Sequence, residues 1–294
     1  MERAIQLIVD AVALGALYAL IALGIALIFG IMNLINFAYG ELMMIGGYCL
    51  VLAAGAVVPL MVALVLASVV IAALLMDRIA FRPVRSADAT TLLVTSFALS
   101  YLLQNLAIMI FGSLPRTTGA ASGLDRSILV GGVALSQLNL IVIAVAVLLV
   151  VGLILLVRAT KIGIQMRAAA ENFEMARLMG VNADRVIAVG FAMSGLLAGV
   201  AGFFLVAQSG SVSPTFGVSA VLVAFIATIV GGLGSLQGAV IAGLGLGVVT
   251  VAFQELLPQG LVPYRDAFVF LVVLLTLILR PEGLIPQRAR AVRV

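Results

Sequence analysis

One carboxylate, Glu41, stands between two long apolar runs, and the residues just ahead of it include two amides, Asn33 and Asn36, and a phenol, Tyr39. A charge held at membrane depth costs roughly 2.5–3.5 kcal/mol on insertion scales, so a residue kept there is a functional candidate. Two chemistries suit this set. Glu41 and the two amides can line and gate the route of a polar solute, or Glu41 can cap the backbone N–H groups that begin the following helix. Gly40 permits a backbone break beside them. Tyr39 can stack on a solute or anchor at the membrane interface. Gln104 and Asn105 are the other side chains hardest to leave in lipid and are expected to face another helix or a cavity.

The second chemical feature is a charged interruption from Arg158 to Arg185 with long apolar runs on both sides. Its pattern predicts one helix near 165–179, with Met166, Ala169, Ala170, Phe173 and Ala176 on one apolar face. Met175, Leu178 and Met179 fall nearly opposite, flanked by Arg167, Glu171 and Glu174. One face can rest on the parent protein while the other, rich in adaptable methionine, meets a partner; the alternative is a helix lying on lipid headgroups. Gly180 is placed to end the helix, and Asn182 or Asp184 to cap the next.

The chain has no histidine, one cysteine (Cys49) and one lysine (Lys161). A conventional zinc site and a Ser-His-Asp triad cannot be assembled from it, so metal and triad hydrolysis are excluded. No Gly-x-x-x-x-Gly-Lys is present, so nucleotide, if it drives the protein, is bound by a partner.

These sites must be positioned by membrane helices. With 64% hydrophobic residues, 10% charged and a mean hydropathy of +1.33, the chain is an integral membrane protein. Apolar runs near 8–31, 41–57, 59–77, 89–112, 138–157, 185–208, 218–233, 238–253 and 266–280 predict an all-α bundle of eight or nine spans, because the glycine-rich break at 231–238 can separate two spans or kink one. Twelve of the sixteen lysines and arginines fall in three patches: Arg78, Arg82 and Arg85; Arg158, Lys161, Arg167, Arg177 and Arg185; Arg280, Arg288, Arg290 and Arg293. An even number of spans separates each patch from the next, so all three share the cytoplasmic side, and nine spans put the N-terminus outside. The net charge of +4 follows from this sidedness and does not imply nucleic acid. Gly195-x-x-x-Gly199, Ala198-x-x-x-Gly202 and Gly243-x-x-x-Gly247 are close-packing signals. An echo between 40–47 and 234–243 suggests two half-helices that meet at midplane, as in inverted-repeat transporters.

The stretches Asn33–Gly47 and Arg167–Asn182 and the tail Arg280-Pro-Glu-Gly-Leu284 resemble, in that order, the branched-chain amino acid ABC transporter permeases, more narrowly the first of that system's two paired permeases. The resemblance covers essentially the whole chain. It matches Ala170, Glu171, Ala176 and Gly180 to the loop that docks on the ATPase, and Asn36, Gly40 and Glu41 to the first break. It departs at Tyr39, where family members usually carry histidine. The implied partners are a second homologous permease, two ATPase subunits that bind the ATP, an extracytoplasmic binding protein and membrane lipid; the implied location is the bacterial inner membrane. Implied substrates are branched-chain or other amino acids, or alternatively urea and short amides. An ion-coupled secondary carrier would need ionisable groups along its interior, and beyond Glu41 this chain has almost none.

Overall fold

The computed structural model describes residues 2–85, 87–119, 127–130, 133–281 and 283–285. Arg288, Arg290 and Arg293 of the third basic patch, and Glu282 of the tail motif, lie outside them. Every apolar run is a helix, as lipid demands of a backbone that must satisfy its own hydrogen bonds. They are α1 (Glu2–Met32), α2 (Tyr39–Leu52), α3 (Val58–Leu75), α4 (Ala89–Phe111), α5 (Gln137–Ala159), α8 (Ala183–Ser209), α9 (Phe216–Gly231), α10 (Leu236–Leu256) and α11 (Arg265–Leu279). Two short helices, α6 (Lys161–Glu171) and α7 (Phe173–Leu178), fill the charged interruption. The break at 231–238 separates two helices, so the described residues hold nine apolar helices.

Among the described residues, seven of the nine are long and apolar enough to cross a membrane, α3 counted with the helical turns at 76–84 that continue it and α11 with the turn Val262–Tyr264 that leads into it. The other two are not: the 14 residues of α2 rise about 21 Å and the 16 of α9 about 24 Å, against a hydrocarbon core of ~30 Å. Both begin where they touch. A Cβ on Gly40 would lie 2.6 Å from the Gly217 carbonyl, and one on Gly217 would overlap the backbone of Gly40. The crossing lies midway through the bundle, since Tyr39 is bonded to Ser194, about 16 Å along α8 from its first residue. From that point α2 runs toward one end and α9 toward the other. Two half-helices do meet at midplane, then, but the partner of α2 is α9 and not the 234–243 segment, which opens the full-length α10. Gly40 is helical, and its part is this close approach of two backbones, not a chain break.

The packing follows the same inverted plan. α1 lies along α10, and α8 lies along α3; α2 rests on α8 and α3, and α9 on α1 and α10. Small residues make these approaches possible. Gly243 and Gly247 press on Ala19 and Gly15 of α1, Gly195 and Gly199 on Ala73 and Val69 of α3, and Gly202 on Met43 of α2. All three small-residue motifs therefore lie in helix contacts.

The first two basic patches and Arg280 of the third share one end, which is cytoplasmic by the excess of cations there. Arg85, between α3 and α4, bridges Asp77 and Asp184 at 2.7 Å each, and Arg82 also pairs with Asp184 at the start of α8. The tail closes on the same end: Leu284 N–H bonds the Val230 carbonyl at 2.7 Å and Ile285 N–H that of Gly231 at 3.1 Å. The N-terminus lies at the opposite end, where Arg3 pairs with Glu255. The loops there hold β1 (Arg116–Thr117), paired antiparallel with β4 (Ser211–Val212), and the hairpin β2 (Ser127–Val130) to β3 (Val133–Ser136).

Asp77 is 7% exposed in its side chain and Arg85 15%. Replacing Arg85 by methionine keeps the stem and strands the carboxylate, which costs about 2–3 kcal/mol after allowance for the exposed partner Asp184. A lowered melting temperature of the detergent-solubilised protein, with Arg85→Lys intermediate, is the expected outcome.

Candidate functional site

The segment between α1 and α2 departs from helix because Asn33 takes a left-handed conformation, φ 51°, after donating its N–H to the Phe29 carbonyl at 2.8 Å. Asparagine tolerates that region better than most residues. Asn33 thus ends α1 and stays exposed at the cytoplasmic end, away from the midplane. The chain then turns back inward. Phe37 N–H reaches Ser96 Oγ of α4 at 3.4 Å, and Asn36 is buried with its Oδ1 unpartnered.

Tyr39 is 1% exposed. Its hydroxyl donates to the Ser194 carbonyl at 3.3 Å, Ser194 Oγ donates to the Gly24 carbonyl at 3.1 Å, and the ring tip sits where a Cβ on Gly24 would be. Buried in this way, it does not anchor at a membrane interface. It is the joint at which α1, α2 and α8 meet.

Glu41 lies on the first turn of α2, yet no side chain caps that helix. The capping expectation fails because the carboxylate points sideways to α4. There Oε1 accepts Ser100 Oγ and Gln104 Nε2, both at 2.8 Å, and Gln104 Nε2 also reaches Ser100 Oγ at 3.1 Å. Oε2 is buried and has no partner. Asn105 returns its amide to the carbonyl of Tyr101 on its own helix at 2.8 Å and takes no part. Of the candidate pathway residues, Glu41 and Gln104 are brought together. Asn33 and Asn105 are not.

Ser100 and Gln104 line a half-open cavity of ≈ 260 Å³ between α4 and α9, walled by Phe37, Phe97, Tyr101, Val218, Val221 and Leu222. Phe37 stacks on Phe97 at 4.2 Å and tilts against Phe225 at 5.5 Å. Sequence reasoning missed this aromatic wall and the role of Ser100. The i, i+4 spacing of Ser100 and Gln104, which sets both on one face, was the available signal.

At the cytoplasmic end the expected single helix is two. Asn172 is extended, φ −155°, and its Oδ1 accepts the Met175 N–H at 3.0 Å, so one side chain ends α6 and caps α7. Thr160 starts α6 in the same way, with Oγ1 accepting the Gly163 N–H at 3.1 Å. Gly180, φ 83°, closes α7: its N–H bonds Arg177 and that of Val181 bonds Ala176, each at 3.0 Å, which is a Schellman motif. Asn182 caps α8, while Asp184 pairs with arginines instead.

Met166, Ala169 and Ala176 are buried against the parent bundle, as expected. Ala170 is not: it is exposed on α6, where it borders a cavity of ≈ 270 Å³ with Arg158, Arg167 and the start of α10. The side chain of Phe173 lies outside the described residues. Arg167 and Glu171 are exposed, and Arg167 donates to the Arg158 carbonyl at 3.4 Å. Met175, Leu178 and Met179 are 59%, 81% and 86% exposed. They stand beyond the last turn of a membrane helix, as an exposed apolar patch at the end of the bundle that carries the basic residues.

A family model described as "Branched-chain amino acid transport system / permease component" matches residues 7–277. The chain is 32% identical to the high-affinity branched-chain amino acid transport system permease protein BraD of Pseudomonas aeruginosa, over 96% of this chain and 95% of that one. It is likewise 32% identical, with the same coverage, to the corresponding permease LivH of Escherichia coli. A probable branched-chain amino acid transport permease, LivH of Methanocaldococcus jannaschii, is 28% identical over 91% of this chain and 88% of its own length. No solved structure matches.

Proposed function

Because the chain belongs to the family of branched-chain amino acid transport permease components, we propose that it forms half of the membrane pathway of an ATP-driven importer for branched-chain or related amino acids. It is a multi-pass inner-membrane protein. A second, homologous permease supplies the other half. Two ATPase subunits bind the ATP, and an extracytoplasmic binding protein delivers the solute.

The observation that carries this reading is the pair α6 and α7. Its buried residues tie it to the bundle, and its exposed Met175, Leu178 and Met179 offer an apolar docking face on the cytoplasmic side. α7 is joined to α8 by only a Schellman turn and the Asn182 cap, so a displacement of the docking face is passed to α8 with little slack. α8 in turn carries Ser194, which holds Tyr39 beside Gly40 and Glu41. Closure of the ATPases would thus tilt α8 and shift the half-helix crossing, giving alternating access.

Co-expression with the ATPase tests the reading. Single cysteines at Met175 and Leu178, in a Cys49→Ala background, should cross-link to the ATPase in membranes. Cysteines at the lipid-facing positions Leu148 and Leu274 should not. Failure to trap the ATPase at either docking position would overturn the coupling assignment.

A further inference from the structure

We propose that the midplane cavity is an intramembrane way-station in which Glu41 and Gln104 receive the α-ammonium group of an amino acid while Phe37, Phe97 and Leu222 cover its aliphatic side chain. This rests on the permease reading above. Glu41 Oε1 takes two donors and Oε2, equally buried, takes none. A carboxylate oxygen left without a donor away from water is costly, and among the described residues no donor reaches Oε2, so a donor entering from outside the chain would relieve it. Among the described residues, neither lysine nor arginine pairs with Glu41 or lines the cavity.

An ammonium, with three donors and no acceptor, is the complement of such a group. Gln104 stands between the carboxylate and the cavity. Its Nε2 is committed to Glu41 and Ser100, which leaves its carbonyl Oε1 able to accept from an incoming cation. Glu41 does not itself line the cavity, so an incoming ammonium reaches it by displacing the Gln104 amide. The stacked rings of Phe37 and Phe97 add faces that attract a cation and bury hydrocarbon.

Size and place agree with this assignment. At ≈ 260 Å³ the cavity falls below the ~300 Å³ at which pockets for drug-sized ligands begin. It lies beside the Gly40–Gly217 contact, where two half-helices meet at midplane, which is where inverted-repeat transporters place their solute sites. A solute bearing only a carboxylate is repelled by Glu41, so the same residue that attracts an amino acid rejects its deaminated analogue.

The test is binding of radiolabelled L-leucine to the purified permease–ATPase complex in nanodiscs, without the binding protein. Isoamylamine, which lacks the carboxylate, should displace the label, and 4-methylpentanoate, which lacks the ammonium, should not. Glu41→Gln keeps both hydrogen bonds to Oε1 and should weaken leucine at least 10-fold; Leu222→Trp, on the open side of the cavity, should abolish binding whether or not Glu41→Gln assembles. Unchanged affinity in both variants, or equal displacement by the two analogues, would overturn the site. ATP-driven leucine uptake in the wild-type complex with its binding protein is the separate control. Uptake without binding that depends on Glu41 sinks the way-station alone, whereas absent uptake sinks the permease reading as well.

Discussion

Gly217→Val is expected to leave almost no correctly assembled bundle in the membrane. A Cβ at Gly217 would overlap the backbone of Gly40, and a Cβ at Gly40 would in turn lie 2.6 Å from the Gly217 carbonyl and 3.1 Å from the Val221 side chain. Overpacking a core costs about 1–3 kcal/mol when side chains can move aside. Here the obstacle is the main chain of a facing helix, so α2 and α9 would have to separate. α2 cannot retreat, because its other side presses Met43 on Gly202 and Tyr39 on Gly24. The loss should exceed ~4 kcal/mol, the range reserved for the severest single substitutions. The measurement is the monodisperse fraction after detergent extraction, with Gly152→Val as control, since a Cβ at Gly152 meets nothing within 4 Å. Recovery of Gly217→Val at the wild-type level would mean that the two half-helices do not touch.

Much of the architecture was legible in the sequence because hydropathy reports what lipid sees. The nine apolar runs, the sidedness of the cations and the small-residue motifs each correspond to a feature of the fold. What hydropathy cannot report is which helix stops at midplane. The apolar run at 216–231 reads much like any other span, and only the contact of Gly217 with a backbone far away in sequence makes it a half-helix. Glu41 was visible as a charge in the wrong place, but its partners Ser100 and Gln104 lie 59 and 63 residues away. Local reasoning offered the neighbouring N–H groups of α2 instead. Asn172 was misread for a different reason: helical periodicity runs through it unbroken, and the competition of its side chain for the Met175 N–H decides the matter.

The double substitution Met175→Glu with Leu178→Glu should lower ATP-driven uptake by on the order of 100-fold or more while leaving the bundle intact. Two side chains at the centre of the proposed docking face would contribute about 2 kcal/mol each, and every ~1.4 kcal/mol is tenfold in affinity. Neither side chain supports the parent fold, as both are exposed, 59% and 81%, whereas Ala176 between them is buried. Membrane yield and melting temperature should therefore match the wild type, and the ATPase should be lost from the purified complex. Gly180→Pro reaches the same end by another route. The residue sits at φ 83° and donates to the Arg177 carbonyl, and proline permits neither. That variant should keep Met175 and Leu178 exposed but loosen α7 from α8, so ATPase retained at low uptake would separate transmission from docking. A helix that merely rests on lipid headgroups predicts otherwise: added acid would leave ATPase recovery unchanged, and uptake at the wild-type rate in both variants would remove this element from the transport cycle.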